Sequence, residues 1–386
     1  MPSRDRNPPG LKNANADTDV VGAPSQVARL GVVRRYPLVA VDGGLYSRTY
    51  FGGAIRYLTG LGEGLVSAGA HVTLVMADPP RPPVLHLPRG ATLVATIPAG
   101  DDVWLTDDPA AVAAAPQWCR TALIVHDTMQ WEPDICVPQE SAHGDSLDEL
   151  KTALRRADVI VTVSQTTRAK MLDLFPGLDA AKLVVIPHAT SLPTSGVPMS
   201  VRSDVILHVG ARDGYKRFDL LLEAFAAFAR GYTATLVTVG GRKRLSDAEQ
   251  GLVDRLGLGG RVRSLGYVAD AELASWYAKA RVVVVPSDAE GFGVPLLEAL
   301  AAGTPIVAAA LAVVEEVTAG TAYVFRPGDA ADAAAALTRA WSDPLSSLLA
   351  LRAQRARSWT WADAGALLLQ SVLGVGPTEP STGELG

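Results

Sequence analysis

The chain has 386 residues, more than a single hydrophobic core usually supports, so two domains are expected. Its 40 acidic and 35 basic residues give a net charge of −5, which offers no generic attraction to nucleic acid or to an anionic membrane. The two cysteines, Cys119 and Cys136, are too few for a disulfide framework or a metal cluster, and they favour a reducing cytoplasm.

The first half of the chain has the pattern of an α/β domain. Residues 1–35 are polar, are predicted to be a disordered leader, and lack the apolar stretch of a secretory signal. After them, short β-branched runs alternate with helical periods, which indicates doubly wound units. The predicted strands are PLVAVDGG, HVTLVMAD, TALIVHD, VIVTVS and KLVVIPHAT. Residues 36–195 are therefore predicted to form a Rossmann-like domain.

The second half repeats this pattern after a connection rich in Pro, Ser and Gly, Ser191–Asp204. Its predicted strands are VILHV, TLVTVGG, VRSLGYV, RVVVVPS and PIVAAA, which predict a second Rossmann-like domain over residues 196–356. A helix over 357–373 and a disordered tail over 374–386 complete the prediction. Two such domains leave a cleft between them, and open α/β sheets bind ligands at the carboxyl ends of their strands.

The longest apolar run, Val294–Val314, is not predicted to cross a membrane. It contains Glu298, Gly303 and Pro305, and it divides into a helix, a turn and a strand. A cytoplasmic location is expected, and peripheral association at the inner face of the membrane stays open.

The stretch PSDAEGFGVPLLEALAAG joins a strand end, a glycine-containing loop and a helix N-terminus. The unpaired N–H groups and the dipole at a helix N-terminus favour a phosphate, and Gly291 and Gly293 leave room for one. Glu298 lies one turn into this helix among apolar residues, where an unpaired carboxylate is costly. Sugar or ribose hydroxyls would satisfy it, and so would a neighbouring arginine or the helix dipole. Spacing alone leaves these alternatives open, and Glu290 has the alternative of a loop hydrogen bond.

A longer segment, GYVADAELASWYAKARVVVVPSDAEGFGVPLLEALAAGTPIVA, resembles the donor site of glycosyltransferase family 4, the retaining GT-B enzymes of glycosyl transferases group 1. The hallmark is a pair of glutamates separated by seven residues, here Glu290 and Glu298. The resemblance implies that Glu290 contacts the donor sugar and that Glu298 accepts hydrogen bonds from the ribose. It implies that the backbone after Glu290, at Gly291 and Phe292-Gly293-Val294, holds the diphosphate.

The same resemblance implies a cationic partner for the diphosphate. Arg212 and Lys216 follow the strand VILHVG, where the family has an Arg and a Lys in contact with the donor phosphates, and Gly210 keeps the turn open. Without the resemblance, Arg212 and Lys216 would be interpreted as solvent-exposed cations of a loop. Asp101-Asp102 and Asp107-Asp108 lie in a Pro/Ala-rich loop region and are expected to be solvated. No metal and no cofactor is therefore expected, because the cations replace a metal at the leaving group.

In the first domain, the resemblance assigns a glycine pair and two histidines to the cleft. Gly52 and Gly53 precede a helix near the donor phosphates, although a glycine pair is also an ordinary turn. His126 faces the reacting sugar, and Asp127 and His188 lie on the acceptor side. A histidine at a strand end is otherwise more often structural.

The chain departs from the family pattern at two places. The family often has Asn-Gly where this chain has His188-Ala189, and it usually has Pro-Glu-Val where this chain has Glu315-Glu316-Val317. The second departure is expected to lie in a loop distant from the chemistry.

The implied activity is transfer of a hexose, of mannose or glucose type, from a nucleotide diphosphate sugar to an acceptor hydroxyl with retention. The implied catalytic residues are His126, Glu290, Arg212 and Lys216. A GT-B sugar-nucleotide epimerase, a phosphorylase and a non-catalytic nucleotide-sugar-binding protein are the alternatives.

The acceptor loops, Tyr46–Phe51 and Thr128–Asp145, match nothing specific. Glycan, lipid-linked, small-molecule and modified-nucleobase acceptors therefore stay open. The donor base and sugar, the linkage and the oligomeric state also stay open.

Overall fold

A computed structural model describes residues 36–47, 52–76, 87–132, 135, 147–192, 201–212, 214–342 and 346–374. The predicted leader and the predicted tail after residue 374 lie outside these residues. Parts of the two acceptor loops and of the connection between the domains also lie outside them, at 48–51, 133–134, 136–146 and 193–200.

The first domain is built on a seven-stranded parallel sheet in the order β3-β2-β1-β4-β5-β6-β7. The strands are β1 (Leu38–Asp42), β2 (His71–Val75), β3 (Thr92–Val94), β4 (Val103–Thr106), β5 (Arg120–Val125), β6 (Val159–Thr162) and β7 (Leu183–Val185). The helices between them are α1 (Gly53–Ser67), α2 (Pro109–Ala114), α3 (Leu147–Arg156) and α4 (Gln165–Leu174).

The second domain has a six-stranded parallel sheet in the order β10-β9-β8-β11-β12-β13. Its strands are β8 (Val205–Val209), β9 (Thr235–Val239), β10 (Val262–Gly266), β11 (Val282–Val285), β12 (Ile306–Ala309) and β13 (Tyr323–Phe325). Its helices are α5 (Phe218–Phe228), α6 (Asp247–Arg255), α7 (Asp270–Lys279), α8 (Val294–Ala301), α9 (Ala312–Thr318), α10 (Ala330–Trp341) and α11 (Ser346–Arg357). The predicted α/β class with two Rossmann-like domains is confirmed.

Each sheet reverses its strand order once, and these points position the site. The first sheet reverses between β1 and β4, and the second reverses between β8 and β11. Ligands of doubly wound sheets bind in the crevice beyond the carboxyl ends of strands at such points. The loops that carry Lys216 and Glu290 follow β8 and β11. The topology therefore brings them to the same crevice, although they are far apart in the sequence.

The strand β4, Val103–Thr106, is not among the strands that the sequence pattern predicts. All four of its residues are buried, and it pairs with both β1 and β5 at the centre of the sheet. A four-residue strand between two acidic pairs is too short to show a period, which explains the error. The consequence is functional, because the residues after β4 lie at the cleft edge of the sheet and not in a solvated loop.

The last helix, α12 (Trp361–Leu373), packs closely along α1 of the first domain. Glycines on both helices permit this approach. A Cβ atom built on Gly64 would lie 1.9 Å from the carbonyl oxygen of Trp361, and one built on Gly365 would lie 2.2 Å from the Gly64 carbonyl carbon. None of the helices in the described part of the chain has both the length and the apolar character needed to cross a membrane.

Gly64→Ala is expected to lower the free energy of unfolding by about 3 kcal/mol, because overpacking against a backbone atom cannot be relieved by a rotamer change. Chemical denaturation would measure the loss. The matched control is Gly251→Ala in α6, whose added Cβ would meet only the flexible end of Arg255 at 3.5 Å. That control is expected to be neutral or stabilising by about 0.4–1 kcal/mol. Equal stability of the two variants would contradict this packing account.

Candidate functional site

The loop between β11 and α8 lies directly against the first domain. The carbonyl oxygen of Gly291 accepts hydrogen bonds from the hydroxyls of Ser164, at 2.6 Å, and Thr167, at 3.1 Å, at the start of α4. A Cβ atom at Gly291 would lie 1.9 Å from the carbonyl oxygen of His126, the residue after β5. This position therefore requires glycine, and it joins the loop to the first domain at two strand ends.

Glu290 and Lys216 form an ion pair in this crevice. The Nζ atom of Lys216 lies 2.8 Å from Oε1 of Glu290, and the hydroxyl of Ser287 donates to the same oxygen at 2.7 Å. The Glu290 side chain is 8% exposed and that of Lys216 is 18% exposed. The structure thus brings these two predicted site residues together in a largely desolvated position, where a fixed charge acts strongly on a bound group.

A second set of contacts holds the two loops together. The backbone N–H of Asp288 donates to the carbonyl oxygen of Tyr215 at 2.8 Å, and the Arg217 guanidinium pairs with the Asp288 carboxylate at 3.0 Å. Arg217 has a positive φ of 48°, which non-glycine residues rarely adopt. Arg217 therefore fixes the turn that carries Lys216 against the loop that carries Glu290.

Arg212 does not join the Glu290–Lys216 pair. Its buried guanidinium pairs with Glu249 at 2.8 Å and donates to the carbonyl oxygens of Gly240, Arg242 and Arg244 and to the hydroxyl of Ser264. These contacts make Arg212 the anchor of the loop after β9. Its contact with the donor diphosphate stays a prediction.

The charges of Lys216 and Arg212 nevertheless act on a common neighbour. Burial, together with the positive charges of Lys216 and Arg212, lowers the pKa of His208 to about 3. His208 lies in β8 and is therefore neutral at physiological pH. Both cations lie beyond the carboxyl end of β8, after Gly210, whose φ is positive at 142°.

Glu298 is almost fully buried, with 4% of its surface exposed. Among the residues that the structure describes, the hydroxyl of Tyr277 is its one hydrogen-bond donor, at 2.7 Å from Oε2. Burial raises the pKa of the Glu298 carboxyl, while the charge of Arg56 and the Tyr277 hydrogen bond oppose that rise. The sequence left open a pairing with a neighbouring arginine, and the arginine whose charge acts on Glu298 is Arg56 of the first domain.

His126 lies beside Asp107, with 3.6 Å between its Nε2 and Oδ2 of the carboxylate, and the ring of Tyr57 is 5.4 Å away. Both imidazole nitrogens are buried, and no described residue forms a hydrogen bond with either of them. An unsatisfied buried donor costs about 1–3 kcal/mol, which a ligand hydroxyl or a water would recover.

The expectation that four aspartates of the first domain are solvated is wrong. Asp107 follows β4, and its side chain is 7% exposed. Asp102 accepts a hydrogen bond from the backbone N–H of Leu38, Asp108 caps α2, and Asp101 is buried beside Thr73. The error follows from the missed strand, because these residues flank β4 at the centre of the sheet. In the described part of the chain, no three His, Cys, Asp or Glu side chains are grouped so that they could hold a metal ion.

His188 is buried between the rings of Tyr57, at 4.7 Å, and Phe292, at 5.0 Å. Burial holds its pKa well below the usual range, and the nearby His126 lowers it further, so the imidazole is neutral. A Cβ atom at Gly53 would lie 3.2 Å from Val294 and 3.9 Å from His188. The structure therefore places the Gly52-Gly53 turn against the start of α8, whose N-cap Gly293 has a φ of 82°.

Asp127 has a local role in the described residues. Its Oδ1 accepts a hydrogen bond from the backbone N–H of Met129 at 3.0 Å. This contact shapes the turn that follows β5. The assignments of Asp127 and His188 to the acceptor side stay predictions.

The departure at Glu315-Glu316-Val317 does not lie in a distant loop. These residues belong to α9, and the Glu316 carboxylate accepts hydrogen bonds from the backbone N–H groups of Gln165, at 2.7 Å, and Thr166, at 3.0 Å. It also accepts one from the Thr166 hydroxyl. A carboxylate is favoured at a helix N-terminus, and the same turn of α4 binds Gly291. Glu316 therefore joins the domains beside the candidate site.

Glu316→Ala is expected to loosen this contact, because hydrogen bonds to a charged group contribute about 1.5–3 kcal/mol. Small-angle X-ray scattering would show a larger radius of gyration for the variant than for the wild type. The control is Glu315→Ala, which removes the neighbouring exposed carboxylate of the same helix. Identical scattering from both variants would show that Glu316 does not hold the domains together.

Comparison with known proteins gives a family match within the second domain. Residues 203–343 match the family model of the glycosyl transferases group 1. The chain is 37% identical over 177 residues to D-inositol 3-phosphate glycosyltransferase of Kineococcus radiotolerans, covering 40% of each chain. It is 31% identical over 193 residues to O-antigen chain mannosyltransferase B of Escherichia coli, covering 47% of this chain and 50% of that protein. The chain thus spans about half the length of the relatives it matches.

Solved structures extend the likeness to both domains. Sucrose-phosphate synthase from Thermosynechococcus elongatus has a TM-score of 0.69 at 23% identity, covering 86% of this chain and 98% of that chain. Anabaena HepE in complex with UDP-glucose has a TM-score of 0.66 at 19% identity, covering 88% of this chain and all of that chain. At these identities the likeness concerns the fold, and it is the GT-B fold. The chain therefore has the GT-B fold, and residues 203–343 of its second domain match the model of the glycosyl transferases group 1.

Proposed function

We propose that the protein is a retaining glycosyltransferase of family 4 that moves a hexose, of mannose or glucose type, from a nucleotide diphosphate sugar to an acceptor hydroxyl. The observation that carries the proposal is the desolvated ion pair between Glu290 and Lys216, in the loop that precedes the N-terminus of α8. Its Nζ and Oε1 atoms are 2.8 Å apart. A cation, a carboxylate and unpaired backbone N–H groups are the three elements that a sugar diphosphate needs.

In the proposed reaction, Lys216 stabilises the charge that develops on the departing diphosphate. Glu290 orients the donor sugar, Glu298 holds the ribose, and His126 lies near the reacting face. The bond from the anomeric carbon to the phosphate oxygen breaks as the acceptor oxygen bonds to the same face of that carbon. The acceptor proton passes to the departing phosphate, and retention follows. Because Lys216 supplies the positive charge, the proposal requires no metal and no further cofactor.

The relatives support the choice of substrate class. Their names include inositol phosphate glycosyltransferases and mannosyltransferases, and HepE has been solved with UDP-glucose. The two relatives' names share the transfer of a sugar, and the nucleotide diphosphate donor, the hydroxyl acceptor and retention are part of our proposal for this chain. A cytoplasmic location stays a prediction.

The test is mass spectrometry of products after incubation with UDP-, GDP- and ADP-hexoses and a cell extract as the source of acceptors. Nuclear magnetic resonance of a purified product would give the anomeric configuration. A new product one hexose heavier than its acceptor, with the donor configuration retained, is expected. Conversion of the donor without acceptor would indicate an epimerase, and release of sugar phosphate with inorganic phosphate would indicate a phosphorylase. Donor binding with no transfer would indicate a non-catalytic protein.

A further inference from the structure

The helix α7 carries Tyr277, whose side chain is enclosed by the second domain. Tyr277 is fully buried and lies in the last turn of α7. Its hydroxyl donates a hydrogen bond to Oε2 of Glu298 in α8, with 2.7 Å between the two oxygens. Glu298 is also buried, so this hydrogen bond is formed away from solvent. A short hydrogen bond to a carboxylate is among the stronger kinds, and here it joins α7 to the residue assigned to the ribose.

The backbone of Tyr277 is fixed as firmly as its side chain. Its carbonyl oxygen accepts hydrogen bonds from the hydroxyl of Thr304, at 2.7 Å, and from Nη1 of the buried Arg202, at 3.2 Å. The same guanidinium donates to further carbonyl oxygens at the C-terminal ends of α7 and α8, which have no partner within their helices. At the other end of α7, Asp270 pairs with Arg56 of the first domain at 2.5 Å. The helix that carries the phenol is therefore held at both ends.

The phenol of Tyr277 is a permanent hydrogen-bond donor. Burial, together with the charge of Glu298 and the hydrogen bond to it, holds the pKa of Tyr277 well above its usual range. Oε2 of Glu298 is thus committed to the phenol, whereas no residue in the described part of the chain forms a hydrogen bond with Oε1. A carboxylate accepts through both of its oxygens, so Oε1 keeps its capacity for a ligand hydroxyl.

A buried acceptor that is held in place can discriminate between nucleosides. The 2′ and 3′ hydroxyls of a ribose can donate to it, whereas a sugar without them covers the carboxylate oxygen and leaves it unpaired. Sites built to hydrogen-bond a substrate hydroxyl therefore reject analogues that lack the hydroxyl. That discrimination requires the acceptor to be fixed by its neighbours, because an acceptor that can turn away loses little when the hydroxyl is missing.

We propose that Tyr277 is a positioning residue of the nucleotide site, which holds the Glu298 carboxylate with Oε1 towards the ribose and so makes the site select nucleotides that carry the ribose hydroxyls. This inference rests on the proposed function, because it takes Glu298 to be the residue that binds the ribose. It names a residue to which the family resemblance assigns no role, and it restricts the class of donor.

The test is calorimetric binding of UDP, GDP and ADP to the full chain, followed by the 2′,3′-dideoxy form of the nucleotide that binds most tightly. The wild type should prefer the ribonucleotide at least about tenfold, the factor expected for a hydrogen bond to a charged group. Tyr277→Phe keeps the ring and removes only the hydroxyl. This variant should lose most of the preference through weaker binding of the ribonucleotide, while the dideoxy form binds as it does to the wild type.

The matched control is Tyr232→Phe, which removes the hydroxyl from another tyrosine of the second domain, one whose ring stacks on Phe228 at 4.5 Å. It should bind both nucleotides as the wild type does. Equal weakening of both nucleotides by Tyr277→Phe would overturn the inference, because a purely structural role gives that result. An unchanged preference in Tyr277→Phe, or no preference in the wild type, would overturn it as well.

A second variant covers the case in which Tyr277→Phe does not fold. Thr304→Val keeps both the phenol and the carboxylate, and it removes the hydroxyl that fixes the Tyr277 carbonyl. It should lower the preference for the ribonucleotide by a smaller factor, again without changing the affinity for the dideoxy form. An unchanged preference in this variant would then overturn the inference. If the wild type binds none of the nucleotides, the proposed function itself fails.

Discussion

Glu290→Gln is expected to lower kcat for sugar transfer by about a hundredfold to a thousandfold, the loss seen when one preorganised electrostatic group is removed from an active site. The change removes the negative charge that holds Lys216 at 2.8 Å and leaves the side-chain volume almost unchanged. Affinity for the nucleotide is expected to change little, because Glu290 is assigned to the sugar and not to the nucleoside. Steady-state kinetics and equilibrium binding of the nucleotide would separate the two effects.

Asp288→Asn is the matched control for this prediction. Asp288 lies in the same loop, two residues earlier, and its partly exposed carboxylate pairs with Arg217. We expect it to reduce activity far less, because Asp288 fixes the loop but does not face the proposed donor sugar. A Glu290→Gln variant that keeps the wild-type kcat would remove Glu290 from the reaction.

Gly291→Ala is the second change with a large expected effect. Its Cβ would lie 1.9 Å from the carbonyl oxygen of His126 and 2.9 Å from Cβ of Asp127, so the loop must move away from the first domain. The hydrogen bonds from Ser164 and Thr167 to the Gly291 carbonyl would be lost in that movement. A displacement of about 1 Å at a reacting centre can cost about a hundredfold, and kcat/KM should fall by at least that factor.

The control for this variant is Gly231→Ala, whose added Cβ would have no heavy atom within 4 Å. Its activity and its scattering profile should match those of the wild type. The Gly291→Ala variant should also show a larger radius of gyration, because its loop no longer fits the first domain. Full activity of Gly291→Ala would mean that this close approach is not part of the active arrangement.

The sequence predicted the parts of the site that lie in continuous motifs. Glu290 and Lys216 lie in loops after strands that the β-branched runs predict, and Glu298 lies in the helix after the first of these loops. The parallel topology then required the two loops to meet. The ion pair between Glu290 and Lys216 is an outcome of that topology. Both residue types were in the prediction, although their mutual contact was not.

Contacts between the domains could not be predicted from a single sequence. Arg56 and Asp270 are separated by 214 positions, and Glu316 and Thr166 by 150. Local periodicity carries no information about such pairs. An ordinary helix cap or an exposed arginine would show the same sequence pattern even if no contact between the domains existed. The departure from the family pattern at Glu315-Glu316-Val317 is a local signal of such a contact. The predicted loop at these residues hides it, because they form a helix that lies against the first domain.

Arg212 lies where the sequence predicts it, but its contacts in the structure are with other residues of the second domain. The prediction placed it at the end of β8, where it lies, but its guanidinium is already engaged by Glu249 and by the carbonyl oxygens of the loop after β9. Residue type and spacing cannot reveal competing acceptors that arrive from elsewhere in the fold. Lys216, which forms the ion pair with Glu290, is the cation on which the proposed chemistry depends.

The most direct test of the account is calorimetric titration of the wild type and of Glu298→Gln with UDP, GDP and ADP. Glutamine keeps an oxygen for the Tyr277 hydroxyl but removes the charge, so the fold is preserved while the ribose acceptor is weakened. The account predicts that at least one nucleotide binds the wild type and that the substitution weakens it at least about tenfold, or about 1.4 kcal/mol. Glu315→Gln, at an exposed position in α9, should bind as the wild type does. Equal affinity of Glu298→Gln and wild type for the nucleotide would contradict the assignment of the donor site.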